Sequence, residues 1–158
     1  MTHKTTWQAK SFNDLSVEQL YELLKMRIDV FVVEQTCVYA DLDSPQNCLD
    51  RHNDTIHLLG YHEQTLVAYL RILPKGQSYQ NHPSIGRVAI AMQARNQGLG
   101  HELIHQALLL CQKHFPGEGI KISAQEHLNN FYQQHGFKQI SAMYLEDDIP
   151  HISMLREM

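Results

Sequence analysis

A glycine-containing run, Arg95-Asn-Gln-Gly98-Leu-Gly100, lies between a stretch typical of a strand and a stretch typical of a helix. Ile85, Val88 and Ile90 are β-branched and apolar, which predicts the strand. Apolar residues after the run recur at helical spacing. The first turn of a helix carries backbone amides without partners, together with the positive end of the helix dipole. Glycines leave those amides uncovered, so the run predicts a phosphate or pyrophosphate site.

The same helix carries a rival motif. His101-Glu102-Leu-Ile-His105 matches the H-E-x-x-H pattern of zinc hydrolases, with two imidazoles and a glutamate base on one face. Glu118 or Glu126 would have to supply a distant third ligand. The chain has 11 histidines, so a chance match, on the order of a few per cent, is not negligible, and a zinc site does not explain the glycines before the motif. The phosphate site is preferred, no metal is expected, and the zinc hydrolase stays as an alternative.

Further segments carry a family resemblance. The glycine run and Asn130-Phe-Tyr132-Gln-Gln-His-Gly136-Phe137, in this order, resemble the acyl-CoA loop and the second signature of the GNAT N-acetyltransferase superfamily. Other stretches resemble its ElaA-like branch, and together they cover nearly the whole chain: Val30-Phe-Val-Val-Glu34-Gln35, Arg51-His52, Gln125 with His127, and Ile149-Pro-His151-Ile.

The resemblance implies an α/β fold of the mixed α+β kind, the GNAT acyl-CoA N-acyltransferase fold. Its central mixed sheet is flanked by helices and splays at the acetyl-CoA site. The parting strands would be 85–90 and 120–124, with the pantetheine arm between them. The resemblance also implies acetyl transfer from acetyl-CoA to a primary amine, by direct attack in a ternary complex. A covalent acetyl-cysteine is less favoured, because none of the three cysteines lies in a recognisable nucleophile setting.

The resemblance further assigns the cofactor contacts. Amides of residues 88–90 would lie near the pantetheine and the thioester, where one oxyanion donor contributes about 2.7–4 kcal/mol in comparable sites. Amides of residues 96–101 would hold the pyrophosphate, and Arg95 would add a charged contact. The cofactor-binding residues predicted in this way are Val88, Ala89, Ile90, Arg95, Asn96, Gln97, Gly98, Leu99, Gly100, His101 and Gln125.

Two catalytic residues are predicted. Tyr132 would protonate the departing thiolate, as its counterpart in the superfamily commonly does. A thiol with a reference pKa of about 8.5 already leaves readily, and a phenol near 10 is a weaker acid, so this contribution is modest. A lysine-like amine is almost wholly protonated at neutral pH, so a base should help. Glu34 is predicted as that base, with His57 and His151 as weaker candidates, and the choice among them stays open.

Residues 36–55 lack periodicity, which predicts a substrate-binding loop. This loop carries acidic residues that could attract a cationic acceptor: Asp41, Asp43, Asp50 and Asp54. Because the base is uncertain, a CoA-binding module without turnover is a further alternative.

Elements positioning these residues follow from the apolar pattern. We expect a strand over 7–13, a helix from there to about Glu34, a hairpin of strands 56–62 and 66–73, and a helix over 98–114. A short helix over 128–135 and an antiparallel pair, 137–144 with 151–156, complete a single sheet. The chain has 158 residues, of which 43% are apolar and 19% charged. These values predict one globular domain over residues 1–158.

Charge and cysteine content limit the partners. A net charge of −4 without a Lys/Arg block argues against nucleic acid or an anionic membrane. The amino terminus lacks the apolar core of a signal peptide. Cys37, Cys48 and Cys111 are odd in number and lack metal-type spacing, as expected for reduced thiols of a cytoplasmic protein. The expected partners are acetyl-CoA and an amine acceptor, a small molecule or a peptide. A homodimer through the carboxy-terminal strands would be ordinary for such folds.

Overall fold

The structure is a computed structural model that describes residues 3–158. In chain order the elements are β1 (Thr5–Lys10), α1 (Val17–Arg27) with a π-helical continuation (Ile28–Glu34), β2 (Ile56–His62), β3 (Thr65–Leu73), β4 (Ser84–Ile90), α2 (Leu99–His114), β5 (Ile120–Gln125), α3 (Asn129–Gln133), β6 (Lys138–Gln139), β7 (Tyr144–Glu146) and β8 (Ile149–Arg156). Within the described residues, no helix combines the length and the apolar character needed to cross a membrane.

The strands form a splayed sheet with two antiparallel halves. The first half has the order β1-β2-β3-β4, and in the second β8 pairs with β5, β6 and β7. The sequence predicts one continuous sheet, but β4 and β5 are not neighbours in one ladder. The amide of Lys121 donates to the carbonyl of Pro83 over 3.1 Å, so the two strands meet at their beginnings. The predicted splaying between these strands is therefore present.

Helices cover both faces of the first half, and this places the core in two layers. Leu103, Ile104 and Ala107 of α2 are fully buried in the larger layer, between α2 and both halves of the sheet. Leu23 and Met26 of α1 belong to the smaller layer on the opposite face. Removing this apolar surface from water is the main source of stability. The layers leave the gap between β4 and β5 open.

The start of α1 follows from a local signal. Ser16 accepts a hydrogen bond from the amide of Gln19, and the Gln19 side chain accepts from the amide of Ser16. This capping box satisfies two amides that the helix leaves unpaired. The strand predicted over 7–13 starts and ends earlier, as β1, because residues 12–14 form a 3₁₀ turn.

The carboxy-terminal pair also differs from the prediction. In place of a strand over 137–144 there are the two-residue β6 and the separate β7. β7 and β8 form a tight hairpin whose turn residues, Asp147 and Asp148, have φ angles of +49° and +62°. Two successive positive φ values match the twist of a hairpin. Glu146 lies between the two predicted strands, 137–144 and 151–156, but in the structure it is the last residue of β7.

Candidate active site

The gap between the two halves of the sheet encloses a cavity of about 340 Å³. Residues 86–88 of β4 form one wall, and residues 122–125 of β5 form the other. Phe31 of the π-helical segment and Gln35, the residue after this segment, line it as well, together with Cys37 and Tyr39 of the loop. A volume of this order suits a small ligand or part of a larger one. The cavity is referred to below as the inter-sheet cavity.

A β-bulge interrupts β4 at this cavity. Arg71 lies opposite Gly86 and Tyr69 lies opposite Ala89, so Arg87 and Val88 together face a single residue of β3. Arg87 has a φ of +53°. An extra residue in a ladder is left unpaired, so the bulge frees backbone polar groups at the position predicted for the thioester.

Of the three β4 residues predicted to bind the cofactor, Val88 lines the cavity. Ala89 is buried in the smaller core layer on the opposite face. The side chain of Ile90 packs against the larger core layer and does not line the cavity. A contact from these last two residues would therefore come from their backbone.

The glycine run forms an uncapped helix start, as predicted. Asn96 and Gly98 have φ angles of +61° and +78°, and no side chain caps α2 at Gly98. Glu102 donates the first helical hydrogen bond, to the carbonyl of Gly98 over 3.2 Å. The amides of Leu99, Gly100 and His101 therefore have no partner within the helix. Together with the exposure of Asn96, Gln97 and Gly98, this is the geometry of an anion site.

Arg95 and Glu34 pair with each other. The guanidinium donates to both carboxylate oxygens of Glu34, and its Nε donates to the carbonyl of Ile90 over 3.1 Å. The hydrogen bonds from Arg95 hold the pKa of Glu34 below its ordinary value. Glu34 lines a separate groove beside α1, and the inter-sheet cavity does not include it. The structure thus does not bring Glu34 and Tyr132 together, and a carboxylate held by arginine is a weak proton acceptor.

Tyr132 lines the inter-sheet cavity from α3 and is only 6% exposed. Its ring packs edge-on against Phe131 and Phe137, with centroid distances of 5.0 and 5.8 Å. Burial raises the pKa of Tyr132 to about 12. The phenol therefore stays protonated at neutral pH and can act as a hydrogen-bond or proton donor.

The two candidate histidines have different surroundings. His57 is enclosed, with Nδ1 2.8 Å from the Tyr69 hydroxyl and Nε2 2.8 Å from the carbonyl of Asp50. Burial lowers the pKa of His57, and its side chain does not line the inter-sheet cavity. His151 does line this cavity. Its Nδ1 lies 2.7 Å from the carbonyl of Ile149, and its Nε2 lies 3.2 Å from Glu146 Oε2.

Acidic residues of the 36–55 loop are engaged by arginines. Arg27, fully buried, donates to Asp41 over 2.8 Å and to Asp50 over 2.9 Å. Arg71 donates to Asp50 over 2.8 Å and to Asp43 over 3.1 Å. These ion pairs anchor the loop to the sheet. The expectation that the loop carboxylates attract a cationic acceptor is therefore wrong for these three, because their charges are balanced internally.

Residues of the H-E-x-x-H motif have other partners. Glu102 accepts a hydrogen bond from the Trp7 indole over 2.8 Å, and His101 Nδ1 lies 2.9 Å from His135 Nε2. In the part of the chain that the structure describes, the one cluster of potential metal ligands is Asp43, Cys48 and Asp50. Arginines already hold its two carboxylates. The zinc-hydrolase motif thus does not assemble a third ligand.

Several residues in and around the inter-sheet cavity were not predicted as site residues from the sequence. Gln35 accepts a hydrogen bond from Gln125 over 3.1 Å, which links the residue after the π-helical segment to β5. The hydroxyls of Ser123 and Tyr144 lie 2.5 Å apart beside them. Glu146 borders the cavity next to His151. Gln35 adjoins Glu34 in a stretch that carries the resemblance, but Ser123, Tyr144 and Glu146 had no sequence signal.

Comparisons with known proteins agree with this geometry. Residues 15–158 match the family model described as an acetyltransferase (GNAT) domain. The chain is 43% identical to protein ElaA of Escherichia coli K12 over 152 residues, 96% of each chain. The crystal structure of E. coli ElaA superposes with a TM-score of 0.89, covering 98% of this chain and 100% of that one, at 42% identity. An acyl-CoA N-acyltransferase from Pseudomonas aeruginosa also has a TM-score of 0.89, at 41% identity and covering 97% and 99% of the two chains.

Proposed function

Because the chain belongs to the GNAT acetyltransferase family, we propose that it transfers the acetyl group of acetyl-CoA to a primary amine. One observation carries the proposal: the gap between β4 and β5 connects a bulged strand with the buried donor Tyr132. The uncapped start of α2 follows β4 directly. Such a layout suits a long ligand with a phosphate at one end and a reacting carbonyl at the other.

In this proposal the pyrophosphate of acetyl-CoA binds the amides of Asn96 to His101, where the open helix start favours negative charge. The pantetheine arm follows β4 past Val88, and Gln125 contacts it from β5. The bulge amide donates to the thioester oxygen and stabilises the oxyanion as the amine attacks. Arg95 donates a hydrogen bond to the carbonyl of Ile90 and so fixes the end of β4 relative to the glycine run.

The amine attacks the thioester directly. Cys111 is buried on α2, and burial raises the pKa of its thiol to about 12, which disfavours a nucleophilic thiolate. Cys37 lies at the cavity, but its Sγ faces the carbonyl of Asp147 at 3.7 Å. As the carbon–sulfur bond breaks, Tyr132 donates its phenolic proton to the departing thiolate. The buried donor favours this reaction over the alternative of a CoA-binding module without turnover.

The proposal extends to surroundings and partners. A cytoplasmic location agrees with three free cysteines, and the acceptor is an amine-bearing small molecule or a peptide. We also propose that two copies of the chain form a homodimer through their carboxy-terminal strands. Light scattering coupled to size-exclusion chromatography measures the mass, and a mass of one chain at micromolar concentration would contradict the dimer.

The first experiment is a calorimetric titration of the metal-free protein with acetyl-CoA and, separately, with zinc. We expect micromolar binding of acetyl-CoA. Thiol release from acetyl-CoA is then followed with a panel of spermidine, a lysine-containing peptide and an aminoglycoside. Failure to bind acetyl-CoA, together with tight zinc binding that depends on His101 and His105, would favour the hydrolase instead. Binding without thiol release for any of these amines would favour the module without turnover.

A further inference from the structure

We propose that His151, held by Glu146, is the group that accepts the proton from the ammonium form of the acceptor. This inference rests on the proposed function and adds to it the base and the charge of the acceptor. It arises from the position of one imidazole on the cavity wall and from the groups that its two nitrogens face, the Ile149 carbonyl and the Glu146 carboxylate.

Strand register places His151 at the cavity. On β8 it lies opposite Gln125 of β5 on one side and opposite Tyr144 of β7 on the other. Its ring stacks on Tyr144 with a centroid distance of 6.3 Å. Gln125 is the last residue of β5, before the turn that leads into α3 and Tyr132. The imidazole and the predicted proton donor therefore line the same cavity.

Hydrogen bonds define the tautomer of His151. The carbonyl of Ile149, 2.7 Å from Nδ1, can only accept a hydrogen bond, so Nδ1 carries a proton. In the neutral ring Nε2 then keeps its lone pair. A carboxylate oxygen of Glu146 lies 3.2 Å from Nε2. When Nε2 takes up a proton, Glu146 can accept the resulting hydrogen bond and stabilise the imidazolium.

Charges around the cavity favour a cationic acceptor. Arg71 and Arg87 line the cavity, but aspartates of the loop balance them, including Asp41 at 2.9 Å from Arg87 Nε. Glu146 and Asp147 have no lysine or arginine partner among residues 3–158. The side chains that face His151 from β5 and β7, Gln125 and Tyr144, are uncharged at neutral pH. The remaining titratable groups on the cavity wall are Cys37, Tyr39, Tyr79, His127 and Tyr132.

Rival bases are less well placed. Glu34 is paired with Arg95 outside the cavity. His57 has both nitrogens bonded inside the protein. An imidazole titrates close to neutral pH, where it can both accept a proton from an ammonium group and release it to water.

Two protons leave the acceptor nitrogen during the proposed reaction. His151 Nε2 takes one proton from the ammonium, and the neutral amine attacks the thioester carbon to form the carbon–nitrogen bond. The carbon–sulfur bond breaks, and Tyr132 protonates the thiolate. A second proton, lost from nitrogen as the amide forms, restores the phenol of Tyr132. His151 finally releases its proton to water, so the products are the acetamide, CoA thiol and one proton.

The kinetic test compares His151→Asn, Glu146→Gln and the control His82→Asn, using the panel amine that the wild type acetylates. The Asn side chain can still donate to the Ile149 carbonyl, and His82 contacts the Gly119 carbonyl outside the cavity. We expect His151→Asn to lose about 10²–10⁴-fold in kcat/KM near neutral pH, the usual range for a base. Its acidic limb in the pH–rate profile should disappear, while acetyl-CoA binding stays unchanged.

Glu146→Gln should lower kcat/KM by less than His151→Asn does, because the imidazolium loses its anionic partner but the base remains. His82→Asn should match the wild type. Equal losses of acetyl-CoA binding and of turnover in His151→Asn would indicate a structural role and overturn the assignment. An acidic limb that persists in this variant would also overturn it.

Nitrogen-15 NMR tests the geometry without any acceptor. We expect the neutral ring of His151 to carry its proton on Nδ1, in the wild type and in Glu146→Gln, because the Ile149 carbonyl accepts that hydrogen bond. A proton on Nε2 in the neutral ring would overturn the proposal, because Nε2 would then have no lone pair to take up the proton of the ammonium. If the wild type binds acetyl-CoA but acetylates no amine of the panel, the proposed function fails, and NMR still decides the state of His151.

Discussion

At the scale of single residues, the surroundings of Tyr132 suit the proposed role of proton donor. Aromatic rings enclose it and burial raises its pKa to about 12, so a phenolate is costly and the hydroxyl keeps its proton. We expect Tyr132→Phe to lower kcat by about 10-fold to 100-fold, at or below the lower end of general acid catalysis, because a thiolate leaves readily without help. Steady-state kinetics with saturating acetyl-CoA measure this loss. An unchanged kcat would remove Tyr132 from the mechanism.

A substitution at Glu34 tests whether this residue, rather than His151, is the general base. Its carboxylate is bound by Arg95 and its pKa is lowered. We therefore expect Glu34→Gln to keep the acidic limb of the pH–rate profile that His151→Asn removes. The same kinetic assay over pH 5–9, about the range in which imidazole titrates, makes the comparison. Loss of the limb in Glu34→Gln would return the role of base to Glu34.

At the level of elements, the junction between β4 and α2 contains two left-handed residues, Asn96 and Gly98. Gly98 has a φ of +78°, and Gly117, beyond the other end of α2, has a φ of +79°. A Cβ would meet no atom within 4 Å at either position. A residue with a side chain at either position would therefore cost roughly 1–2 kcal/mol of backbone strain, because its φ would be left-handed. The two positions differ in their distance from the proposed pyrophosphate.

We expect Gly98→Ala and Gly117→Ala to lower the free energy of unfolding by similar amounts. Only Gly98→Ala should weaken acetyl-CoA binding, because it alters the loop whose amides face the phosphates. Urea unfolding measures the first quantity and calorimetry the second. Equal acetyl-CoA affinities in the two variants would contradict the assignment of the loop.

At the scale of the whole molecule, a buried ion-pair network joins α1, the 36–55 loop and the first half of the sheet. Arg27 is its centre, because it bonds Asp41 and Asp50 from a fully buried position. We expect Arg27→Met to destabilise the fold by about 3 kcal/mol, the lower end of the cost of breaking a buried ion pair, because Asp41 and Asp50 each lose one of their two arginine partners. Lys25→Met, in an exposed pair with Asp29 on the same helix, is the control and should not change urea unfolding measurably.

This network also makes stability depend on pH. Burial alone would raise the pKa of Asp50, but Arg27 and Arg71 outweigh it and the pKa is lowered. Burial lowers the pKa of His57. A group with a lowered folded pKa stabilises the fold above its unfolded pKa, and this contribution is lost as pH falls.

We therefore expect two losses on acidification, a first below about pH 6.5 from His57 and a second below about pH 3.9 from Asp50, the reference values of the unfolded chain. Thermal unfolding of the wild type and of His57→Asn at matched pH values measures them. The variant should show a smaller first loss while keeping the second, because burial also lowers the pKa of His135, which contributes to the first loss in both proteins. A first loss of equal size in both proteins would assign it to other groups.

Features encoded by short stretches of the chain were predictable without the structure. The glycine run predicted an uncapped helix start because a left-handed glycine between a strand and a helix is a local property of the backbone. The hairpin of β2 and β3 and most of α2 followed from apolar periodicity. The family resemblance rested on the same kind of short motif, and the fold it implied is confirmed.

Tertiary structure alone decided which side chains meet. Arg95 and Glu34 are 61 positions apart, and their pairing removed Glu34 from the cavity. The β7–β8 hairpin brought Glu146 to His151, and arginines from α1 and β3 neutralised acidic residues of the loop. The ionic state of a side chain depends on its neighbours in space, and periodicity and spacing along the chain do not encode those neighbours.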